Sequence, residues 1–378
     1  VRAWTAVGIA LATACGNDAP RLPEIAAPPI ERVVEDPSDA PLAGLSAEEL
    51  ARFDEGDARF ELPFREAQGL GPLYVHRACT SCHEDDARGP GAVRRIVRRG
   101  EDAPALPWGD VVRPRTTAGA TIAVIAPVHP SIGEVVRLAP AVFARGLIEA
   151  IPDAAIEANE RAQRGVISGR VARLADGRIG RFGHKARTAT LDEFVADALL
   201  GDMGLTSPMR PEELPGPEGI RDDAKPGVDV SDEEIALLAD YVRLLAMPRR
   251  EARDARVFEA VGCATCHVPS TRTRDDHEVP ALRAVDAAIY SDLLLHDMGD
   301  ALADGIAEGA ASGREWRTAP LVGVRHLRGL MHDGRARTVR EAIDAHASEG
   351  SEANAVVERF RALGEDEQLA LIAFVEAL

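Results

Sequence analysis

Basic residues are in short supply. Lys and Arg number 44 against 62 Asp and Glu, which leaves a formal net charge of -18 at pH 7. Such an acidic chain is a poor match for a polyanion, because nucleic-acid binding draws its affinity from phosphates neutralised by Lys and Arg. No nucleic-acid partner is expected; a small neutral substrate, or a basic redox partner steered by the protein's field, suits the charge better. Long apolar runs are missing as well. The N-terminal run "VRAWTAVGIALATAC" falls well short of the about 20 apolar residues a spanning helix requires. With one Arg near its start and small residues at Thr13 and Ala14, it has the character of an export signal. Aromatic residues make up only 4% of the chain, whereas Ala, Leu and Glu are plentiful, so helices and loops are expected.

Cysteine is scarce but organised. Of five cysteines, Cys15 closes the apolar run and the other four fall into two copies of one pattern, "ACTSCHED" (78–85) and "GCATCHVP" (262–269). A Cys directly after small residues resembles a bacterial lipoprotein cleavage site, although the usual Leu is displaced by one, to Leu11. The alternative is an ordinary signal peptide cut nearby. Either reading predicts a periplasmic or cell-envelope protein, with a lipid anchor at Cys15 in the first case and no other membrane contact. The Pro- and acid-rich stretch 16–45 lacks periodicity and cannot bury enough surface to offset its ordering entropy, so a flexible tether is expected.

Beyond residue 45 the chain repeats. Each Cys-x-x-Cys-His leads to an amphipathic helix, "SDEEIALLADYVRLL" (231–245) after the first and "GEDEQLALIAFVEAL" (364–378) after the second. Both carry cap signals, and so does "SAEELARFDEG" from Ser46. The chain therefore divides into a signal segment (1–15), a tether (16–45), an N-terminal domain (46–248) and a C-terminal domain (249–378). The first unit is longer. Its insertion is expected among the Gly- and Pro-rich stretches near 164–187 and 206–229, where "VARLADGRIGRF" predicts a short β-hairpin around Asp-Gly.

Two cysteines three positions apart can bond the two vinyl groups of haem, and the adjacent His then lies beneath the ring as an iron ligand. A thioredoxin-like CxxC needs a strand-to-helix context and no His, and a four-cysteine zinc site needs closer pairs. Two covalent haems c are predicted, on Cys79, Cys82 and His83 and on Cys263, Cys266 and His267.

The strings "EAQGLGPLYVHRACTSCHEDDARGPG", "RLAPAVFARGLIEAIPDAAI", "GRFGHKARTATLDEFVADALLGDMGLTSP", "DLLLHDMGDALADG" and "SGREWRTAPLVGVRHLRGLMHDGRARTVREAIDAHASEG" resemble the bacterial di-haem oxidoreductase family. These are peroxidase-like proteins, also called thiol oxidoreductases, related to di-haem cytochrome c peroxidases and to MauG. The resemblance covers almost everything from Ser46 to Leu378. It implies a mainly α fold of two cytochrome c-like helical domains whose haems face each other.

In the peroxidase relatives, the distal ligand of the C-terminal haem follows His-Asp-Gly by 14 residues. That count from His332 reaches His346, implying bis-histidine ligation. The plainer alternative is that His346 caps its helix, and Met331 is a sulfur alternative. A removable distal His on the N-terminal haem is replaced here by Arg99, which leaves that haem open; His129, Met203 and Met298 are outside candidates for reaching a haem. The carboxylate after the Ala-Pro/Val-Phe motif falls near Glu149. Its apolar neighbours predict a raised pKa suited to acid-base work, and the alternative is a solvated carboxylate. Trp316, rather than Trp108, is the candidate electron relay, against simple core packing. His76, His296 and His332 are expected near propionates or the domain seam, or in structural hydrogen bonds, and Arg335 and Arg337 are expected on propionates. The resemblance also implies a calcium ion, for which no Asp-rich loop here matches an oxygen cage.

The functional expectation is peroxide reduction at an open N-terminal haem. Electrons come through the C-terminal haem from a small redox protein or quinol-linked cytochrome. The rival readings are a carrier with both haems six-coordinate and a MauG-like, dioxygen-activating enzyme. "Thiol oxidoreductase" finds no support, since every cysteine has another occupation.

Overall fold

The computed structural model describes residues 40–84, 91–220, 225–251 and 253–378. The proposed signal, Cys15 and the tether up to residue 39 lie outside the described residues. The fold is mainly helical, with small two-stranded sheets, as the sequence predicts. The helices are α1 (Ala47–Glu61), α2 (Arg145–Ala150), α3 (Asp153–Ala162), α4 (Leu191–Met203), α5 (Asp232–Leu244), α6 (Arg256–Val261), α7 (Gly299–Leu302), α8 (Val339–Ala345), α9 (Asn354–Arg361) and α10 (Glu365–Glu376). None of the described helices is long and apolar enough to cross a membrane.

The cap signals act where a side chain can act. Ser46 Oγ accepts from Glu49 N at 3.2 Å while Ser46 N donates to Glu49 Oε2 at 2.6 Å. Ser231 and Glu234 repeat this box at α5, and Thr190 and Glu193 repeat it at α4. At α10 the cap residue is Gly364, so only the reciprocal half forms, from Gly364 N to Glu367 Oε2 at 3.3 Å.

Helices α1 and α5 lie close together because Gly56 is a glycine. A Cβ there would stand 2.6 Å from Leu237 O and 2.8 Å from Tyr241 Cβ. Phe53 and Phe60 pack on Tyr241, each at 5.1 Å between ring centroids. Arg52 on α1 bridges Glu233 and Asp240 of α5. Residues 40–45, predicted to end the tether, run instead beside the end of α5, with Leu42 N donating to Leu244 O at 2.8 Å.

Strands β1 (Leu73–Tyr74), β2 (Ala92–Arg98), β3 (Arg115–Thr116) and β4 (Ile132–Leu138) form the pairs β1–β3 and β2–β4, both antiparallel. Later come β5 (Thr271–Arg272), β6 (Asp286–Ala287), β7 (Leu295–Asp297) and β8 (Glu315–Arg317), paired β5–β6 and β7–β8. The hairpin expected at Asp176-Gly177 closes with Leu174 N on Arg178 O at 2.9 Å, but a single bridge, Arg173 to Ile179, takes the place of a ladder. One apolar cluster is built mainly on α1, α2, α4 and α5, with Leu282, Ile289 and Leu294 joining from later in the chain. A second cluster belongs to α6, α8, α9 and α10, where Phe258, Tyr290 and Phe374 pack against one another.

Candidate functional site

Each Cys-x-x-Cys-His forms one 3-10 turn, Cys79–Ser81 and Cys263–Thr265, and each turn opens on its own cavity. The first cavity is lined by Cys79, Cys82 and His83 together with Phe60, Phe182, Phe194, Leu199 and Val242. The second is lined by Cys263, Cys266 and His267 with Phe258, Leu302, Val324, Leu371 and Val375. Counting their open mouths, they hold about 900 Å³ and about 1510 Å³ of empty space, and both are walled mainly by apolar side chains. Close packing shapes the first turn. A Cβ on Gly91 would stand 2.6 Å from Cys82 Sγ, so only glycine lets the chain pass behind the thiol.

Cys79, Cys82, Cys263 and Cys266 form no disulfide, and burial pushes Cys79 and Cys82 up to about 12 and Cys263 to about 11. A redox-active or zinc-binding cysteine requires the opposite shift, toward thiolate. Apolar walls, with Cys79, Cys82 and Cys263 held as neutral thiols, therefore suit a covalently held macrocycle better than thiol–disulfide chemistry.

The histidines supply the second part of the fit. Burial, and then the His346 charge, push His267 down to about 4, and burial lowers His346 too. Both rings are then neutral near pH 7. His267 Nδ1 lies 3.0 Å from Tyr290 O and His346 Nδ1 lies 2.6 Å from Ala342 O. A carbonyl only accepts, so each Nδ1 carries the proton and each Nε2 keeps its lone pair, as an axial ligand requires. Both rings line the same cavity. His346 does sit at the C-cap of α8, but as a neutral ring lining that cavity and not as a capping cation. In the first cavity His83 is pushed to about 4 by burial and Arg145. Its Nδ1 is buried without a hydrogen-bond partner among the described residues, and His76 lines the same cavity.

The chain belongs to the di-haem oxidoreductase family. It matches the family described as "Di-haem oxidoreductase, putative peroxidase" over residues 37–99 and 132–378, so two haems are expected at these two motifs. Between the two matched segments, residues 100–131 are unmatched. No curated protein matches the chain. Similar solved structures include a Kuenenia stuttgartiensis hydrazine synthase, 16% identical with a TM-score of 0.37 over 100% of both chains. Another is a MauG-like protein associated with microbial copper homeostasis, 16% identical with a TM-score of 0.39 over 95% of this chain and 94% of that one. At these scores neither likeness carries an argument.

Two crossing segments wall the cavities from each other. Phe182 and Gly183 face the first, His184 and Trp316 face the second, and Arg317 lines both. The Trp316 ring is held on both faces. His332 stacks on it at 3.8 Å between centroids, and Lys185 Nζ lies 4.0 Å from its centroid. Its Nε1–H donates to Leu302 O at 3.0 Å. Lys185 is fully buried, donates to Ser312 O and Glu315 O, and is pushed by burial down to about 8. Next to it, Arg137 joins Asp304 and Glu308 in a buried ion cluster.

His76 and Met203 line the first cavity, and His296, His332, Met298 and Met331 line the second. His296 is clamped by Asp292 at 3.0 Å and Glu352 at 2.9 Å. Burial alone would lower its pKa, but hydrogen bonds with Asp292, Cys266 and Glu352 raise it to about 12. Trp108 is exposed, and neither it nor His129, Arg99, Arg335 or Arg337 lines either cavity. Arg335 donates to Asp333 and to Ala301 O.

Glu149 requires the largest correction. It is buried yet lines neither cavity, so it is neither a solvated carboxylate nor a cavity acid. Its Oε2 accepts from Arg243 Nε at 2.6 Å and its Oε1 accepts from Leu191 N at 2.9 Å. Burial pulls its pKa up, but Arg243 and the Leu191 amide win and hold it below the usual range. The carboxyl that does line the first cavity is Asp202, at the end of α4, raised by burial to about 6. Sequence reasoning missed it because "LLGDMG" carries no catalytic pattern; only its place on the last turn of a helix facing the cavity was there to be found.

Proposed function

We propose that the chain is an exported di-haem c-type peroxidase. In this reading Cys79, Cys82 and His83 hold one haem, and Cys263, Cys266 and His267 hold the other with His346 as its second axial ligand. Electrons from a small donor protein or quinol-linked cytochrome arrive at the C-terminal site and reduce hydrogen peroxide, or a related small oxidant, at the open N-terminal site. The bound haems would supply the electron storage and the O–O bond chemistry. Reducing one peroxide to two waters takes two electrons and two protons, so the open site also requires a proton carrier. Asp202 is the carboxyl group suited to that part, taking a proton from the incoming peroxide and returning it to the departing oxygen. Apolar walls exclude bulk water around it. Export, with a lipid anchor at Cys15, belongs to the same proposal and rests on the apolar run that ends at that cysteine.

The observation that carries the reading is the inequality of the two sites: His346 lines the cavity of His267 with Nδ1 held on the Ala342 carbonyl and Nε2 free, whereas His76, the histidine that shares the cavity of His83, has no such carbonyl on its ring among the described residues. Met203, buried on the first cavity, favours the second reading, a carrier with both irons six-coordinate. Optical and EPR spectra of the ferric protein separate the two. The peroxidase reading requires a high-spin signal beside a low-spin one, and peroxide turnover with a reduced cytochrome c. In His346→Ala the low-spin signal should convert to high-spin. A wild-type spectrum without any high-spin component would leave the carrier.

A further inference from the structure

Among the described residues, Arg317 alone lines both cavities. It is the last residue of β8 and only 7% exposed. Its Nε donates to Gly183 O at 3.1 Å and its Nη1 to Thr318 O at 2.9 Å. A guanidinium has five N–H donors, so these two neutral carbonyls leave donors over and give no counter-charge. Arg137 and Arg243, equally buried, each form ion pairs with two or three carboxylates. No carboxylate among the described residues pairs with Arg317; Asp292 acts on it only at longer range. Burial lowers its pKa to about 10, which still leaves it charged near pH 7. A cation buried without a partner is costly, and this one lies where two apolar cavities meet.

We propose that Arg317 binds a propionate carboxylate of each haem, making one guanidinium the shared counter-ion of the two prosthetic groups. The inference rests on the two-haem reading. A guanidinium fork matches carboxylates in shape as well as charge, and haem presents its acidic arms at one edge of an otherwise apolar disc. Arg335 and Arg337, the arginines that the sequence suggested for this part, line neither cavity. Each iron gains negative charge on reduction, so a cation fixed between the cavities favours the reduced state of both, and its loss should be felt at both.

The test is spectroelectrochemical titration of the haem-loaded protein and of the Arg317→Gln and Arg317→Lys variants, with haem per chain counted from the pyridine haemochrome spectrum. Both midpoint potentials should fall in Arg317→Gln and stay near wild type in Arg317→Lys. Unchanged potentials, or movement of only one, would overturn the bridge. Wild-type potentials that depend on added acetate or phosphate, and lose that dependence in Arg317→Gln, would assign the guanidinium to an exchangeable anion and also overturn it. If Arg317→Gln does not fold, a crystal structure of the haem-loaded wild type decides: a propionate of each haem should lie within ion-pair distance of the guanidinium, and their absence refutes the inference. Fewer than two haems per wild-type chain would defeat the two-haem reading itself.

Discussion

Two carboxylates with opposite shifts carry the residue-scale argument. Asp202 is half-buried and Glu149 is buried, yet one is pushed up to about 6 and the other is held low. The difference is the partner. Glu149 meets the Arg243 guanidinium at 2.6 Å, whereas Asp202 feels Arg187 and Arg95 only through space. A group with a pKa near 6 can take a proton from peroxide once it is ionised, so turnover should rise with pH through about 6. Asp202→Asn should abolish that limb and lower peroxide turnover by about 100-fold or more, the usual worth of a general acid-base group, while retaining both haems. An unchanged pH–rate profile would remove Asp202 from the mechanism. The apolar neighbours of Glu149 were legible in the sequence and its burial follows from them. The arginine from α5, 94 positions away, was not, and it decides the sign of the shift.

At the scale of elements, α2, α4 and α5 are joined through that same arginine. Arg243 on α5 reaches Glu149 on α2, Asp192 on α4 and Asp240 on its own helix. Removing one partner of a buried ion pair costs about 3–5 kcal/mol, and the lower end applies because Asp192 and Asp240 remain. Glu149→Gln should therefore lose about 3 kcal/mol in denaturant unfolding and keep the wild-type haem spectrum and pH–rate profile. Lost turnover at unchanged stability would restore the catalytic role that the sequence suggested. Helix signals were legible because caps are local: Ser46, Thr190 and Ser231 each meet their Glu three residues on. The Asp176-Gly177 turn was legible for the same reason. The crossing of 182–185 with β8 was not, since nothing nearby in the chain announces a contact between Gly183 and Arg317.

For the whole molecule, protonation gives the clearest expectation. His332 is pushed by burial to about 4 and burial lowers His277 as well, while an unfolded chain binds those protons near 6.5. The unfolded state therefore holds more protons between these values, and stability falls as pH drops from about 6.5 to about 4. Glu149, Glu308 and Glu352, held below their ordinary range, add to the loss as they protonate at still lower pH. Above neutrality two groups oppose each other. The stabilisation from His296, raised to about 12, is lost gradually, whereas Lys185, lowered to about 8, favours the folded state as its unfolded counterpart holds on to its proton. Denaturant midpoints measured from pH 4 to 9 should therefore fall on both sides of neutrality, because Lys185 begins to offset His296 only above about 8; an acid-insensitive midpoint would contradict the burial of these imidazoles.

By itself the sequence determined the two attachment motifs, the helical character and the family resemblance, because each rests on neighbours a few positions apart: Cys79, Cys82 and His83, or Ser231 and Glu234. His346 was within reach because a fixed count from His332 on the same stretch leads to it. The tertiary structure decided which charges meet. It paired Glu149 with Arg243, brought Asp202 to the first cavity, held Trp316 between His332 and Lys185, and set Arg317 against both cavities. The physical reason is range. Caps and attachment turns depend on groups adjacent along the chain, whereas a pKa or an unpaired charge depends on whatever the fold packs within a few ångströms, wherever in the chain that group began.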